Sequence, residues 1–286
     1  MQAMTAQRTL EINTFGSPTV LSQGQPVMWH AESARELFFY LLANPEGQSR
    51  DAILEQLWQE SPSASVSNRF RVTMHRIRTA LGANDVVLEE HGRYRLSNEV
   101  LRASDLHAFY QALEDASHAS TPKDRLLAFQ RVMNVYQGDF LAGLNADWLL
   151  EAREEHRAAY VRAEIEVSLL HCDHGACESS VAALVRALRA DPYLGENWHQ
   201  KLMTCLSVVE GKYASVEHYR RFLHFLRVEL EDSPMDETAD LANRLKNGEV
   251  ICQRKAGVVE VPETHSCALS ADGSCPGAFQ QLISLN

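Results

Sequence analysis

The sequence predicts an α+β N-terminal winged helix-turn-helix domain followed by an all-α helical repeat domain. Within residues 1–100, short β-patterned stretches precede three amphipathic helices and a second β-hairpin. The third of these helices, spanning 66–81, combines an apolar stripe with four arginines and contains no carboxylate. From Ser104 onward the strand patterns stop, and helical segments alternate with Gly or Pro breaks.

The first elements follow from alternation, turn residues and helix caps. Stretches bounded by turn-forming residues at 16–18 and 23–26 predict three short strands, at residues 8–13, 19–21 and 27–29. Ser33 is typical of a helix N-cap and predicts a helix over 34–42. Ser49 predicts the start of the second helix, whose buried face comprises Ile53, Leu54, Leu57 and Trp58.

The third helix is the candidate DNA-reading element. Its apolar residues recur at helical spacing and fall within about 60° of each other around the axis: Phe70, Met74, Ile77 and Leu81. The opposite side carries Arg69, Val72, His75, Arg76 and Thr79, with Arg71 and Arg78 on the flank. Such a helix can pack on a core while offering arginines to phosphates and base edges. The alternative is a solvated helix whose arginines pair with acidic neighbours.

A predicted hairpin completes the N-terminal domain. Strands are expected at 86–89 and 94–96. Between them, His91, Gly92 and Arg93 form the tip, and Arg95 follows two residues later. The order of strands, three helices and a β-ribbon is that of a winged helix-turn-helix, with this hairpin as its wing.

The remaining chain is predicted to be helical almost to its end. Seven segments are expected, at about 104–116, 123–137, 147–172, 177–190, 193–209, 212–231 and 235–247. Pairs of helices broken every 15–20 residues suggest stacked antiparallel hairpins similar to tetratricopeptide repeats (TPR-like). Three regions result: a DNA-binding domain at 1–100, a helical domain at 101–248 and a tail at 249–286. A short helix is possible at 278–285.

Composition narrows the class of protein. The net charge of −11 argues against nucleic acid, but residues 1–100 carry nine Arg against eleven Asp and Glu. Six of those arginines lie at 69–78 and 93–95, and the local field decides phosphate contact. No apolar run approaches the roughly 20 residues of a membrane span, and the N-terminus lacks a signal-peptide core. We therefore expect a cytoplasmic protein with reduced cysteines and no membrane contact.

Taken together, several stretches resemble bacterial transcriptional activator domain (BTAD) regulators. That family, similar to the Streptomyces antibiotic regulatory proteins, joins an OmpR-type winged helix to a TPR-like helical domain. The matching stretches are ARELFFYLLANPEGQSRDAILEQLW, FRVTMHRIRTALG, VVLEEH followed by GRYRL, LLEAREEHRAAYVRAEIE, RADPYLGENWHQKLMTCL and GKYASVEHYRRFLHFLRVELEDSP. The resemblance covers about 5–248, and the tail from Glu249 has no counterpart.

The resemblance implies a sequence-specific DNA-binding transcription regulator, with activation expected. The resemblance implies a base contact for Arg76, a phosphate contact for Arg78 and a wing contact for Arg93. From their places on the same helix and hairpin, we also expect base contacts from Val72, Arg69 and His75, phosphate contacts from Arg71 and Thr79, and a wing contact from Arg95. Many members carry Lys or Arg where this chain has Thr79 and Ala80, so fewer phosphate contacts are expected here. The implied partners are double-stranded DNA, RNA polymerase and a second copy of the chain.

Two groups of residues in the helical half could support other chemistry. The arginines of the helical half could hold a small anionic effector such as a cyclic dinucleotide, or could simply pair with acids: Arg153, Arg157, Arg186, Arg189, Arg220, Arg221 and Arg227. An effector-binding sensor or scaffold with weak DNA binding is therefore the alternative function. The stretch HCDHGAC at 171–177 offers metal-ligand types without a second pair at zinc spacing, so a helix corner is expected there.

Neither the residues of the tail nor the motifs of common enzyme classes indicate a function. Cys252, Cys267 and Cys275 with His265 could bind a metal or sense redox, but their spacing matches no known site. The sequence contains no P-loop, no GxGxxG after a strand and no GxSxG elbow. We expect no enzyme, no cofactor and no metal.

Overall fold

The computed structural model describes residues 9–59 and 64–252. The chain forms two compact units, Met1–Arg157 and Ala158–Asn286. The described elements of the first unit are β1 (Leu10–Asn13), β2 (Thr19–Ser22), β3 (Gln25–Pro26), α1 (Glu32–Ala43), β4 (Gln48–Ser49), α2 (Arg50–Trp58), α3 (Ala64–Leu81), β5 (Val87–Glu90), β6 (Arg93–Leu96), α4 (Asn98–Arg102), α5 (Asp105–His118) and α6 (Pro122–Val135). The long helix α7 (Trp148–Asp173) continues into the second unit, which contains α8 (Cys177–Ala190), α9 (Glu196–Val209), α10 (Lys212–Glu229) and α11 (Asp236–Lys246).

The first unit contains two small antiparallel sheets besides its first three helices. One has the order β1-β2-β3, and the other has the order β4-β6-β5, so that the strand before α2 pairs with the second strand of the late hairpin. The predicted strand at 27–29 is wrong, because the strand is Gln25–Pro26. Gln23 and Gly24, with φ of 53° and 74°, close the turn in two residues and leave Gln25 free to pair.

The three-helix core confirms the predicted apolar stripe of α3. Phe70, Met74, Ile77 and Leu81 are each at most 3% exposed. They lie with the buried side chains of α1, which include Phe38 and Leu41. The spacing of apolar residues therefore fixes which side of α3 faces the solvent.

Two predicted caps have different outcomes. Ser49 is the N-cap of α2, since its Oγ accepts a hydrogen bond from the Ala52 amide at 3.2 Å. The predicted cap at Ser33 is wrong, because α1 begins one residue earlier at Glu32, after Ala31, without a side-chain cap. Glu32 supplies a carboxylate in the first turn of α1 instead, which favours the positive end of the helix dipole.

The hairpin β5–β6 turns in two residues rather than three. His91 and Gly92 adopt φ of 53° and 75°, as a tight hairpin turn requires. Arg93 therefore lies within β6, opposite Glu90 on one side and Ser49 on the other. The prediction that Arg93 sits at the hairpin tip is wrong, because a two-residue turn ends before it.

The first strand is attached to the helices that follow the hairpin. The Asp105 carboxylate, in the first turn of α5, accepts hydrogen bonds from the Thr14 amide (2.7 Å), the Phe15 amide (3.0 Å) and the Thr14 hydroxyl (2.5 Å). The Leu141 amide donates to the Thr14 carbonyl at 2.7 Å. Thr14 is fully buried. Residues far apart in sequence thus satisfy the backbone of this strand end.

An aromatic cluster surrounds Phe15, which is 4% exposed. Its ring centroid lies 4.9 Å from Phe109, 5.0 Å from Tyr136, 6.2 Å from Phe140 and 5.9 Å from His156. Aromatic pairs at these separations stabilise the fold by more than the burial of their surface area alone. The cluster, together with Asp105, makes α5, the segment around Phe140 and the start of α7 part of the same compact unit as the first sheet.

His156 makes the first unit sensitive to acid. Its ring is 5% exposed, its Nδ1 lies 2.7 Å from the Tyr110 hydroxyl, and its Nε2 has no hydrogen-bond partner among the described residues. Burial lowers the pKa of His156 from 6.5 to about 4. Between those values the unfolded chain binds the proton and the folded chain does not, so stability falls as pH falls from about 6.5 towards 4.

We expect His156 to remove about 2 kcal/mol of unfolding free energy between pH 7 and pH 5. Urea unfolding at both pH values measures this loss. His156→Phe keeps an aromatic ring but cannot titrate, so its loss over the same interval should be smaller by that amount. Equal losses in the two proteins would contradict the assignment.

In the second unit, successive helices pack against each other: α8 on α9, α9 on α10, and α10 on α11. One core cluster joins α8 to α9 through Val181, Leu184, Leu202 and Leu206. The predicted helical segments are confirmed within a few residues at either end, whereas the short helix α4 was not predicted. The corner predicted at 171–177 is confirmed, with Gly175 at φ 72° between α7 and α8.

Some predictions lie outside the described residues. They concern the helix at 278–285 and the side chains of Cys267, Cys275 and His265. Within the described ranges, no helix is both long enough and apolar enough to cross a membrane.

Candidate nucleic-acid interface

The solvent-facing side of α3 has a polar centre and two cationic edges. At about 100° per residue, Val72, His75 and Thr79 lie opposite the buried stripe, and all three side chains are exposed. Arg69 and Arg76, seven residues apart, share one edge of this face. Arg71 and Arg78, also seven apart, share the other edge, about 160° away around the axis.

Each edge carries one uncommitted and one engaged arginine. Arg71 and Arg76 are exposed, and neither forms a hydrogen bond or ion pair with any residue that the structure describes. Arg69 places its guanidinium 4.5 Å from the centre of the Trp58 ring, a cation–π contact that ties it to α2. Arg78 is half-buried and donates from Nη2 to the Val87 carbonyl at 3.1 Å, which ties α3 to β5.

The engagement of Arg78 bears on its predicted phosphate contact. Its Nε is buried and has no hydrogen-bond partner among the described residues. The Nη2 atom of Arg78 is therefore used to hold β5 against α3, and its Nε atom is shielded from solvent. Arg71 is the better placed of the two for a phosphate on that edge, and the assignment of Arg78 stays a prediction.

The two arginines of the β5–β6 hairpin also bind other residues of the protein, although Arg93 is exposed and Arg95 is half-buried. Arg93 donates from Nε and Nη2 to the Gly47 carbonyl, at 3.1 and 2.6 Å. Gly47 has a φ of +79°, and a Cβ atom there would lie 3.0 Å from the Tyr94 carbonyl oxygen. Glycine is therefore required where the turn before β4 meets the hairpin.

Arg95 forms a two-pronged ion pair with Glu90, with both N–O distances at 2.9 Å. The hydrogen bond from Arg95 lowers the pKa of the Glu90 carboxyl. Arg95 also donates to the Asn98 side chain at 3.1 Å. The hairpin thus presents His91, Glu89 and Glu90 beside its engaged arginines, and the predicted wing contacts of Arg93 and Arg95 stay predictions.

Sequence reasoning missed two residues of this surface. Asn68 is exposed and precedes Val72 by four residues, so it lies in the same central row. The helical spacing was sufficient to find it, and asparagine is the side chain that best pairs with adenine in the major groove. Trp58 was assigned only to the buried face of α2, and its contact with Arg69 depends on the angle between the two helices.

The arginines considered for an effector pocket are mostly engaged. Arg153 donates to the carbonyls of Phe140, Leu141 and Leu144 at 2.7–2.8 Å. The others with partners are Arg157 with Glu154, Arg186 with the fully buried Glu164, and Arg220 with Glu217. Arg189 and Arg221 are exposed without a hydrogen bond or ion pair to a described residue. Arg227 is also exposed. Arg153 and Arg157 belong to the first compact unit, and the other five arginines belong to the second.

The comparisons with known proteins address the helical part and the fold. The family model described as "Bacterial transcriptional activator domain" matches residues 104–246, half of the chain. The chain belongs to the bacterial transcriptional activator domain family. No curated protein matches the sequence.

Among solved structures, the chain is similar to Mycobacterium tuberculosis EmbR, whose structure was determined in complex with a low affinity phosphopeptide. The TM-score is 0.69 at 19% sequence identity, and the match covers 85% of this chain. The chain spans 66% of the length of that EmbR chain. At this identity the similarity establishes the fold, and the fold extends over most of both compact units.

Proposed function

We propose that this protein is a sequence-specific DNA-binding transcription regulator, with residues 1–100 acting as a winged helix-turn-helix DNA-binding domain. Residues 101–248 would act as the activator domain, through contact with RNA polymerase or a second copy of the chain. Membership of the activator family supports this assignment. The observation that carries it is the exposed face of α3, which has uncommitted arginines at both edges and no carboxylate.

The geometry of α3 suits the major groove of DNA. A groove about 12 Å wide admits one helix and places a phosphate backbone on each side of it. Arg71 on one edge and Arg76 on the other then face opposite strands. The central row of Asn68, Val72, His75 and Thr79 faces the base edges, where amide, imidazole, hydroxyl and methyl groups can discriminate between base pairs.

The modest charge of the domain predicts weak non-specific binding. Residues 1–100 carry nine arginines against eleven acids, so long-range attraction to DNA is small. Affinity would then depend on a few close phosphate contacts, each of which contributes about −0.9 to the slope of log affinity against log salt. The preference for one sequence over others should accordingly be large relative to the total affinity.

Selection from a random-sequence duplex library tests the proposal with the full chain. We expect enrichment of one motif, and fluorescence anisotropy with the enriched duplex should show affinity falling steeply with salt. Arg71→Ala should reduce the salt slope by about one and weaken enriched and scrambled duplexes alike.

Arg189→Ala is the matched control, because Arg189 is equally exposed but lies on α8. It should leave both affinities unchanged. No enriched motif, or binding that does not respond to salt, would favour the alternative of a sensor or scaffold protein over a DNA-binding regulator.

A further inference from the structure

Two described cysteines of the second unit, Cys172 and Cys205, lie close to a buried lysine. Lys201 of α9 is 3% exposed, and its Nζ donates to the Sγ of Cys172, near the end of α7, at 3.6 Å. Cys205 lies four residues after Lys201, on the same side of α9, and is also buried. The charges of Cys177 and Cys252 raise the pKa of the Cys205 thiol. Cys172 thus contacts the Lys201 side chain directly, and Cys205 lies one helical turn away from Lys201.

Cys252 lies in the segment after α11. Ile251 packs against the core cluster of Met203, Leu241 and Leu245. This contact places Cys252 beside α9, and the charge of its thiol raises the pKa of Cys205. Cys177 and Cys252 are partly exposed, whereas Cys172 and Cys205 are buried.

Within the described residues, no group of three or more His, Cys, Asp or Glu side chains is placed to hold a metal ion. Among the described residues, none of the four cysteines forms a disulfide. A lysine next to a thiol instead stabilises the thiolate, which is the form that reacts with oxidants.

We propose that Cys172 and Lys201 form an oxidation-sensitive modification site, in which a peroxide converts the pair into a covalent sulfur–nitrogen cross-link. The contact between Nζ and Sγ selects Cys172 as the reacting thiol. Cys205 is the less reactive neighbour, because burial raises the pKa of its thiol to about 12 and keeps it protonated.

The reaction balances with one equivalent of peroxide. The Cys172 thiolate attacks one oxygen of hydrogen peroxide, which breaks the O–O bond, gives the sulfenic acid and releases hydroxide. Hydroxide takes a proton from the Lys201 ammonium to form water and leave the neutral amine. The amine nitrogen then attacks the sulfenic sulfur, and a second water leaves. Sulfur is oxidised by two electrons and the peroxide is reduced by two.

The cross-link would join α7 to α9 within the second compact unit. An external thiol would reverse it by attacking the sulfur and returning the lysine amine, as thiols reverse other sulfenyl derivatives. The site is thus a reversible modification, separate from the proposed DNA-binding face.

Peptide mapping by mass spectrometry tests the proposal on the reduced full chain treated with hydrogen peroxide. We expect a loss of two hydrogens from the intact mass and a cross-linked peptide pair containing Cys172 and Lys201, both reversed by dithiothreitol. A disulfide from Cys172 to Cys177, Cys205 or Cys252 in its place would overturn the proposal. So would oxidation of Cys177 and Cys252 with Cys172 left as the free thiol.

Two variants separate the roles of the pair. Cys172→Ser should abolish the cross-link, and Cys177→Ser, the matched control, should retain it. In Lys201→Met, alkylation of Cys172 by iodoacetamide at neutral pH should slow by roughly tenfold, because the ammonium no longer stabilises the thiolate. Circular dichroism of this variant establishes that it folds. An unchanged alkylation rate in the folded variant would contradict the role of Lys201.

Discussion

Alanine in place of Arg76 should weaken binding to the enriched duplex by about 1–3 kcal/mol, or roughly 5- to 150-fold. The reason is that Arg76 is exposed, makes no hydrogen bond or ion pair with the described residues, and lies beside the central row of α3. A two-pronged contact to guanine is the strongest single discrimination that an arginine of this kind can make. Anisotropy titrations of the enriched and scrambled duplexes measure the effect.

The scrambled duplex separates base reading from general attraction. If Arg76 reads a base, its loss should affect the enriched duplex far more than the scrambled one. Arg71→Ala, on the opposite edge, should affect both alike. If Arg76→Ala weakens binding to the two duplexes equally, Arg76 contacts a phosphate and not a base. If it weakens binding to neither duplex, Arg76 is not part of the interface.

Removal of the Asp105 carboxylate should lower the unfolding free energy by about 3 kcal/mol. Asp105→Ala leaves the amides of Thr14 and Phe15 without their acceptor, and Thr14 is fully buried. A buried donor left unpaired costs about 1–3 kcal/mol, and here three donors are affected, the two amides and the Thr14 hydroxyl. Urea unfolding followed by circular dichroism measures the change.

Asp85→Ala is the control for that variant. Asp85 is exposed in the turn between α3 and β5 of the same unit. Its replacement should stay within about 0.5 kcal/mol of the natural protein. A similarly small effect for Asp105→Ala would mean that water replaces the carboxylate at the end of β1.

The features that sequence predicted here depend on local spacing. The buried stripe of α3 follows from four apolar residues at helical intervals, and the Ser49 cap follows from one side chain and an amide three residues away. The seven long helices of residues 104–246 were recognisable for the same reason. Such contacts lie within one or two turns of chain, so periodicity and capping rules are sufficient for them.

The features that sequence missed depend on contacts between distant residues. Arg93 binds a carbonyl 46 residues earlier, and Thr14 binds a carboxylate 91 residues later. Neither separation has a periodic signature. The division of the α3 arginines into engaged and uncommitted members likewise depends on Trp58 and Val87, which other elements bring into place. The contact between Lys201 and Cys172 also joins residues 29 positions apart, on two different helices, and no local pattern indicates it.

Gly47 and Arg93 have a consequence for how this sequence can vary in nature. The arginine needs the carbonyl of a residue that can hold a positive φ and has no Cβ facing the Tyr94 carbonyl. A mutation at either position alone disrupts the hydrogen bonds between Arg93 and the Gly47 carbonyl, and the other residue is then no longer constrained by them. Relatives of this chain should therefore inherit the two as a pair or lose both, a correlated substitution that an alignment of homologues can detect.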